Sequence, residues 1–505
     1  MALRINYNFQ AEFTHVNILK TERNLNTSLE RLATGYRINS AKDDAAGLFI
    51  ADQLNLVAKA LDQGSRNAQD GISAAQIAET SLSQIYEKLT DMYTKAQQAA
   101  TDTNDANARL ALQRDIQKLV DAIDRISAAA EFNGINLLDG TFKNKVIHYG
   151  ARADQVLSMS IDSARAADLG AYVVSGTGGN LSAAGTLVAS IGGTDFEFAT
   201  TETINIAGVT LTPAANEITD AKRIADFVNG NTILQELGIE ATAKNKSVAN
   251  QTWNNITVAA GDSVTINVFV GPEQTADFSI TYNAGEVITL DDLVSKINSQ
   301  ASAAGLSLRA SAVDNKLVLE TDGETIGIEI AKTGTGNTTT IDLNRFIQVD
   351  TNQQVASAAA GTISGVRVGS LDILGPDSYN YDLTGISGGL GVTVATGSAT
   401  MNNLNALDVT DNASAELAMK VLNITIKKVD SLRSALGSIQ INLQAIIDNN
   451  DFSATQTREA ESRIRNVDFA KEMSNFTKQQ TLMQSGMAML AQANQLPQLV
   501  LQLLR

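Results

Sequence analysis

The stretch AQIAETSLSQIYEKLTDMYTKAQQA, residues 75–99, decides the fold. Its apolar residues recur at alternating three- and four-residue steps, which places them along one face of a long helix. Burial of one apolar side chain is worth roughly 1.5 to 3 kcal/mol, so this stripe requires a partner helix. The residues of the stripe are Ala75, Ala78, Leu82, Ile85, Leu89, Met92, Ala96 and Ala99.

The same pattern returns near the other end of the chain, in FAKEMSNFTKQQTLMQSGMAML at residues 469–490. Between the two ends, residues 175–400 contain short runs of Thr, Val and Ile separated by Gly. Alternation of this kind is typical of strands with one buried face. We therefore predict one helical structure built from both ends of the chain, with β-rich domains inserted between them.

The composition argues against several classes of function. The chain has 505 residues, a formal net charge of −17 and no cysteine. Its length predicts several domains, and its acidity argues against nucleic acid or an anionic membrane as the main partner. Without cysteine the chain has no disulfide, thiolate metal site or cysteine nucleophile. No stretch reaches the roughly 20 apolar residues of a membrane span, so we expect no membrane insertion.

The start of the chain predicts two helices and no cleavable signal. Residues 1–40 carry a helical pattern that stops near Gly35. Ser40, followed three residues later by Asp43, predicts the N-cap and capping box of a helix that runs to about residue 100. The first residues lack the basic-then-apolar plan of a secretory signal, so we expect any export to use another route.

Two breaks organise the next segment. A polar break at residues 101–105 separates the long helix from a third, antiparallel helix. Asn133 and Gly134 end that helix, because both residues tolerate the positive φ of a helix terminus or tight turn. Residues 146–161 then predict a β-hairpin.

Helix and strand signals alternate twice in the middle of the chain, which predicts two small α+β modules. In the clearer copy, Thr289 and Asp292 predict a helix start, and Asp314-Asn315 predicts the turn between the two strands that follow. A looser copy places a helix between strands near Ile204 and Ile239. The apolar faces of these helices are Leu290, Leu293 and Ile297 in the first, and Ile224, Phe227 and Val228 in the second.

Helix signals return near residue 412. They predict a break at the four polar residues 448–451 and a last helix from about Thr455, with Pro497 near its end.

Several motifs at the two ends closely resemble those of bacterial flagellin. The likeness covers about residues 1–170 and 405–505, and the middle shows none. The motifs are SLERL at residues 28–32, RINSAKDDAAGL at 37–48, FNG at 132–134, LAQANQ at 490–495 and LLR at 503–505.

The resemblance implies a structural subunit of the flagellar filament, exported unfolded through the flagellar type III apparatus. It also implies an export chaperone, a filament cap and hook-associated proteins as partners. The predicted fold is multidomain α+β, with a long antiparallel helical coiled-coil bundle from both termini and β-rich outer domains. The predicted parts are an N-terminal inner-tube helix (1–44), two halves of a helical shell (45–175 and 405–454), variable outer domains (176–404) and a C-terminal inner-tube helix (455–505).

Apolar stripes that find no complete partner within one chain should pack against other copies. Such a head-to-tail contact generates an open helix and not a closed ring. The predicted subunit-interface residues are Ile18, Leu25, Leu29, Leu32, Phe469, Met473, Phe476, Met483, Met487, Leu490, Leu499 and Leu503.

No motif indicates catalysis, and we expect neither an enzyme nor a bound cofactor or metal. His15 and His148 lack metal-ligand spacing. The acid pairs Asp43-Asp44 and Asp291-Asp292 lie at helix starts, where the helix dipole favours negative charge.

Three alternatives stay open. A hook-filament junction protein would share the helical ends. A glycan-binding adhesin in the middle would need a concave cluster of aromatics, although Trp253 is the single tryptophan. A hydrolase would need two carboxylates about 5 to 9.5 Å apart in a cleft.

The helix at residues 90–97 departs from the flagellin pattern. In many flagellins this helix carries arginines and a glutamate that the flagellin-sensing Toll-like receptor engages. Here Asp91 and Tyr93 stand where arginines are usual, Thr94 where the glutamate is, and Lys95 where a leucine is. An aspartate in place of an arginine reverses a charge and removes a bidentate donor, so we predict weak receptor activation.

Overall fold

The computed structural model describes residues 7–198, 203–212 and 217–503, and side chains as far as residue 495. Two 3₁₀ helices span Leu343–Arg345 and Leu404–Ala406. The α-helices are α1 (Phe9–Thr34), α2 (Ala45–Ala99), α3 (Ala106–Ala129), α4 (Leu187–Ile191), α5 (Ala221–Gly230), α6 (Thr232–Glu236), α7 (Leu290–Ala304), α8 (Ser387–Leu390), α9 (Asn412–Arg465) and α10 (Phe469–Leu503).

The strands of the described residues all lie between α3 and α9. In chain order they are β1 (Glu131–Phe132), β2 (Ile135–Asn136), β3 (Lys145–His148), β4 (Val156–Met159), β5 (Gly170–Gly176), β6 (Asn180–Ala184), β7 (Glu197–Phe198), β8 (Ile204–Ile206), β9 (Val209–Leu211), β10 (Glu217–Ile218), β11 (Glu240–Val248), β12 (Ile256–Thr257), β13 (Ser263–Val270), β14 (Phe278–Tyr282), β15 (Val287–Ile288), β16 (Arg309–Val313), β17 (Lys316–Thr321), β18 (Ile326–Thr333), β19 (Ile341–Asp342), β20 (Gln354–Val355), β21 (Gly361–Arg367), β22 (Ser370–Gly375), β23 (Asn380–Asp382), β24 (Thr396–Ser398) and β25 (Thr400–Asn403).

The strands of the described residues pair antiparallel in three larger sheets and five two-stranded ribbons. The six-stranded sheet has the order β16-β17-β11-β22-β5-β25 and the five-stranded sheet β14-β13-β18-β21-β6. The four-stranded sheet has the order β24-β23-β8-β9. The ribbons are β1-β2, β3-β4, β7-β10, β12-β15 and β19-β20.

A helical body of α2, α3 and α9 gives the predicted stripe its partner. α2 and α9 run antiparallel, since Asn55 bonds Glu461 and Glu79 bonds Gln440. The stripe from Ala75 to Ala99 is completely buried, in one core with apolar residues of α3 and α9. The predicted antiparallel bundle is confirmed.

α1 and α2 begin and end close to the predicted positions, with one correction at the start of α2. α1 ends at Gly35, whose φ of +77° is left-handed, as predicted. α2, however, is capped by Asp44 and not by Ser40, and the Asp44 carboxylate accepts the Gly47 N–H at 2.9 Å. Asp43 instead accepts the backbone N–H of Ser40 at 3.1 Å and holds the preceding loop. The hydrogen bond from Ser40 to Asp43 is therefore local, and the helix starts after it.

The predicted break at residues 448–451 is wrong, because α9 continues through it to Arg465. Asn450 donates to the Tyr149 carbonyl at 2.6 Å, and Asp451 accepts from Ser65 at 3.0 Å. These side chains are occupied by tertiary partners, so they do not compete with the helix backbone for its hydrogen bonds. The chain breaks instead between α9 and α10, eleven residues after the predicted start at Thr455.

The predicted hairpin at residues 146–161 is present, and a shorter hairpin lies directly after α3, where the sequence predicted a helix end. Asn133 and Gly134, with φ of +51° and +75°, form the turn between β1 and β2 after α3 has ended at Ala129. β3 and β4 pair as the predicted hairpin. This hairpin lies close against α2, since a Cβ at Gly64 would overlap the carbonyl oxygen of Tyr149.

The middle of the chain has two apolar cores, as the two predicted modules require. One core surrounds α5 and the other surrounds α7, and the cores share the two largest sheets. The two modules repeat one contact: the Asn229 amide exchanges two hydrogen bonds with the Ala241 backbone, and Asn298 does the same with Ala310. Each asparagine binds the backbone of a strand residue twelve positions further along the chain. This repeat supports the interpretation of one module as a copy of the other.

Candidate assembly surface

The two terminal helices α1 and α10 form a separate antiparallel pair beside the helical body. The loop after α1 and the loop between α9 and α10 lie side by side and connect this pair to the helical body. The Arg37 N–H donates to the Arg465 carbonyl at 2.7 Å, and the Val467 N–H donates to the Gly35 carbonyl at 3.0 Å. Both ends of the chain therefore leave the body at the same place and in the same direction.

Local capping sets where each terminal helix starts. The Asn8 side chain accepts the Ala11 N–H at 3.1 Å and caps α1. Its amide also donates to the Ala493 carbonyl at 2.9 Å, which ties the start of α1 to the far end of α10. At the start of α10, the Asp468 carboxylate accepts the Lys471 N–H at 3.1 Å.

A polar contact joins the two helices near the end of α1 and the start of α10. The Ser28 hydroxyl donates to Glu472 Oε1 at 2.5 Å, and Arg31 Nη1 lies 3.8 Å from Glu472 Oε2. Ser28 and Glu472 are both buried, whereas most of their neighbours on α1 and α10 are not. A buried polar group at a helix interface specifies register, and this contact sets how α1 and α10 align.

The predicted interface residues fall into two groups. One heptad-spaced set on each helix faces the other helix and is half-buried: Ile18, Leu25 and Leu32 on α1, and Phe476, Met483 and Leu490 on α10. The second group stays exposed within the chain: Leu29, Phe469, Met473 and Met487. The side chains of Leu499 and Leu503 lie outside the described residues.

The sequence analysis missed a further apolar row on α1. Phe9 and Phe13 are 65% and 60% exposed, with ring centroids 6.1 Å apart in a stacked arrangement. Val16 and Leu19 continue the row at three-residue steps and are also exposed. The same spacing rule that identified the other stripes detects this one. We call the exposed apolar residues of α1 and α10 the terminal patch: Phe9, Phe13, Val16, Leu19, Leu29, Phe469, Met473, Leu482, Met487 and Met489.

A second exposed apolar area lies at the start of α2. Phe49, Ile50, Leu56 and Val57 project from its first turns into solvent, and we call them the α2 patch. The two pairs separated by seven residues lie on neighbouring faces of the helix. Contiguous apolar surface of this kind marks contacts with other molecules.

Asp292 and Trp253, two of the candidate functional residues in the sequence, have structural partners. Asp292 accepts the Tyr282 hydroxyl at 2.9 Å and pairs with Lys296 at 3.0 Å, and burial with this contact raises the pKa of Tyr282. Trp253 is buried edge-on against Phe346 and offers no surface aromatic cluster.

Within residues 7–198, 203–212 and 217–503, no three acidic or histidine side chains come together to hold a metal ion. No helix in these ranges has the length and apolarity needed to cross a bilayer.

The four residues at positions 91–95 that depart from the flagellin pattern make contacts within the chain. Asp91 is exposed and lies 3.5 Å from Lys88, and Lys95 Nζ lies 3.2 Å from Asp115. The hydrogen bonds from Lys95 and Lys118 lower the pKa of Asp115. Tyr93 is half-buried against the core of the body, and Thr94 is exposed.

Comparisons with known proteins agree with this architecture. Residues 5–143 match the family description "Bacterial flagellin N-terminal helical region", and residues 419–504 match "Bacterial flagellin C-terminal helical region". The chain is 52% identical to a flagellin of Aquifex pyrophilus and 31% identical to a flagellin of Escherichia coli K12. Each alignment covers 100% of both chains.

Solved structures of flagellar proteins are also similar to the chain. FliC from Burkholderia pseudomallei is 15% identical with a TM-score of 0.29, covering 73% of this chain and 98% of that one. A flagellar junction protein from Legionella pneumophila is 12% identical with a TM-score of 0.31, covering 82% and 100%. TM-scores this low support no comparison of domain arrangement.

Proposed function

The chain belongs to the bacterial flagellin family, and we propose that it polymerises head to tail and side by side into the filament used for swimming. Flagellins are structural subunits of the flagellar filament, the extracellular part of the flagellum. The observation that carries the proposal is the terminal patch, which leaves large apolar side chains in solvent on both terminal helices. These side chains gain burial when other copies pack against them.

The positions of the two patches favour an open assembly. The terminal patch lies on the α1/α10 pair, and the α2 patch lies on the helical body. A contact between different surfaces of identical copies is heterologous, and it extends without closing unless the rotation forms a ring. The half-buried residues Ile18, Leu25, Leu32, Phe476, Met483 and Leu490, the exposed residues Leu29, Phe469, Met473 and Met487, and also Leu499 and Leu503 are the proposed subunit interface.

The domain roles follow from this assignment. We propose that α1 and α10 form an inner tube, that α2, α3 and α9 form a shell around it, and that the β-rich residues 176–404 face outward. The helix breaks at residues 466–468, and we propose this break, in place of the predicted residues 454–455, as the C-terminal boundary between shell and tube.

Export and further partners are proposed from family membership. The chain would cross the flagellar type III apparatus unfolded, with an export chaperone, and assemble beneath a filament cap onto hook-associated proteins. A chain without cysteine forms no disulfide that would prevent threading in the unfolded state.

A matched pair of variants tests polymerisation. Met487→Asp places a charge in the terminal patch, whereas Ser474→Asp adds the same charge at an exposed polar position of α10. After seeding, we expect filaments from the chain with Ser474→Asp and none from the chain with Met487→Asp, as measured by sedimentation and negative-stain microscopy. Filaments of normal yield from Met487→Asp, with the patch thus disrupted, would contradict the proposed interface.

We also propose weak activation of the flagellin-sensing Toll-like receptor. Asp91 presents a negative charge on α2, and Lys95 is held by Asp115. In a reporter-cell assay we expect Asp91→Arg to raise potency, while Asp121→Arg, an exposed change on α3, leaves it unaltered. Unmodified protein as potent as a flagellin that carries the arginines would refute the proposal.

Full-length identity to flagellins favours the main filament subunit over a hook-filament junction protein. Trp253 is buried, so the single tryptophan adds no aromatic surface for the adhesin alternative.

A further inference from the structure

One face of the six-stranded sheet lies on α9 and joins the middle of the chain to the helical body. Ala171 and Val173 of β5 and Leu374 of β22 belong to the same buried cluster as Ala418 and Leu422 of α9. The alternate residues of both strands point into the core around α5 instead. The sheet is therefore a shared layer, with the helical body on one side and the core around α5 on the other.

Four lysine-carboxylate contacts accompany this apolar contact. Lys420 Nζ lies 2.9 Å from Asp372 Oδ2, with side chains 23% and 20% exposed. On one side of this pair, Lys244 Nζ lies 2.6 Å from Glu416 Oε2.

On its other side the contacts continue along α9. Lys428 Nζ lies 3.3 Å from Asp377 Oδ1 and donates to the Pro376 carbonyl at 3.0 Å. Lys427 contacts Glu240. All four contacts cross between α9 and the β11-β22 side of the sheet, and we call them the α9 ladder.

The periodicities of both elements explain why these contacts form one row. Positions 416, 420 and 427 are separated by four and seven residues, so they lie on one face of α9. Glu240 and Lys244 are four residues apart on β11, so they point to one face of the sheet. Asp372 shares the α9-facing side of β22 with Leu374.

The order of charges along α9 makes the row specific for one alignment. Glu416 faces Lys244, and Lys420 faces Asp372. A slip of α9 by one helical turn, about 5.4 Å, would bring Lys420 opposite Lys244, two like charges. The small side chains Ala171 and Ala418 in the apolar contact offer no comparable barrier, because apolar burial is non-directional.

We propose that the α9 ladder fixes the alignment and angle at which the β-rich middle is carried on the helical body. Exposed ion pairs stabilise a fold only weakly, but like-charge contacts penalise the wrong arrangement, so their main effect is on orientation. The ladder acts within one chain and does not depend on filament formation, which allows its test on single molecules.

Spin-label distances in the full-length monomer test the proposal. The chain has no cysteine, so Ser299→Cys on α7 and Ser438→Cys on α9 give two unique labelling positions, both exposed and outside the ladder. In the labelled chain we expect one narrow distance distribution by pulsed electron paramagnetic resonance. Adding Asp372→Lys and Glu240→Lys reverses two ladder charges and should broaden the distribution about twofold or split it.

Two further variants make the result specific. Adding Lys420→Asp and Lys427→Glu to the reversed chain restores opposite charges and should restore the narrow distribution. Asp162→Lys with Asp226→Lys makes the same change in net charge at exposed ion pairs away from the ladder and should leave the distribution unchanged. Circular dichroism melting establishes that each variant is folded.

A distribution that stays narrow in the folded, reversed chain would overturn the proposal, as would equal broadening in the control. Failure of the restored charges to narrow it would do the same. If the reversed chain does not fold, a salt titration of the labelled but otherwise unaltered chain tests the proposal. Raising NaCl from about 0.05 to about 1 M shortens the screening length from roughly 14 to 3 Å. The distance distribution should then broaden. An unchanged distribution over that range would refute the ladder's role.

Discussion

The stripe of α2 and the stripes of α1 and α10 follow the same residue spacing but differ in what covers them. Leu82 and Leu89 are completely buried by α3 and α9, whereas Phe13 is 60% exposed and Phe469 is 55% exposed. Apolar periodicity therefore identifies a helix and the apolar face that it must bury. It does not say whether the partner belongs to the same chain or to another copy.

The strongest test of this comparison truncates one residue in each region. Leu89→Ala removes a fully buried side chain, so we expect the free energy of unfolding of the monomer to fall by about 2 to 5 kcal/mol. Phe13→Ala removes an exposed one, so we expect a change of less than about 0.5 kcal/mol but loss of seeded polymerisation. Denaturant unfolding of the monomer and sedimentation of filaments measure the two effects. Equal destabilisation of the monomer by both variants would show that Phe13 is covered within the chain, as Leu89 is.

The stability of the core around α5 is expected to depend on pH, unlike that of the exposed terminal helices. Asp220 caps α5 and is buried, and burial raises its pKa to about 7, with Glu324 nearby adding to the shift. Because the folded form holds this proton more tightly than the unfolded chain, stability should fall as pH rises from about 4 to about 7, by a few kcal/mol.

Asp220→Asn keeps a good N-cap and should remove that loss of stability. The melting temperature of the β-rich residues 176–404, followed in the full-length chain between pH 4 and 8, measures this loss of stability. Asp226→Asn, an exposed change on the same helix, is the control. A profile of Asp220→Asn parallel to that of the unmodified chain would show that Asp220 is not responsible.

The polar contact between Ser28 and Glu472 is expected to stabilise the pairing of the terminal helices. Ser28→Ala leaves Glu472 buried with only the longer contact to Arg31, so we expect the α1/α10 pairing to weaken by about 1 to 3 kcal/mol. Hydrogen exchange of α1 and α10 in the monomer should rise, with α2 and α9 unaffected. Ser474→Ala, at an exposed position of α10, serves as the control. Unchanged exchange in the Ser28 variant would show that apolar packing alone aligns the pair.

The smallest expected effect is at residues 448–451, where α9 continues although the sequence predicted a break. Asn449 is exposed, so Asn449→Ala should stabilise the body by about 0.5 kcal/mol through helix propensity. Asn450→Ala removes the hydrogen bond to Tyr149 and should destabilise it by about 1 kcal/mol. Opposite shifts in melting temperature are expected, and two shifts of the same sign would reject the tertiary explanation for the unbroken helix.

Several features could be read from local sequence because their causes are local. Gly35 ends α1 through its own positive φ, and Asn133-Gly134 forms a tight turn for the same reason. Thr289 caps α7 within three residues of its own position. The prediction failed at Ser40 and at residues 448–451, where two candidate caps compete or where distant partners satisfy polar side chains.

The candidate assembly surface was only partly predictable. The spacing of Leu25, Met483 and their neighbours located the terminal stripes, but the division into half-buried and exposed residues depends on how α1 lies against α10. The row from Phe9 to Leu19 also follows a helical spacing, but it lies on the face of α1 opposite the predicted stripe of Ile18 and Leu25.

The amino-acid sequence by itself determined the long helices, their apolar faces and the β-rich middle, because these depend on periodicity over a few neighbouring residues. The tertiary structure decided which stripes are covered within the chain and how the sheet is held on α9. Those outcomes depend on contacts such as Lys420 with Asp372, between residues dozens of positions apart. No local pattern encodes such a pairing, since each charge alone is equally stable in water.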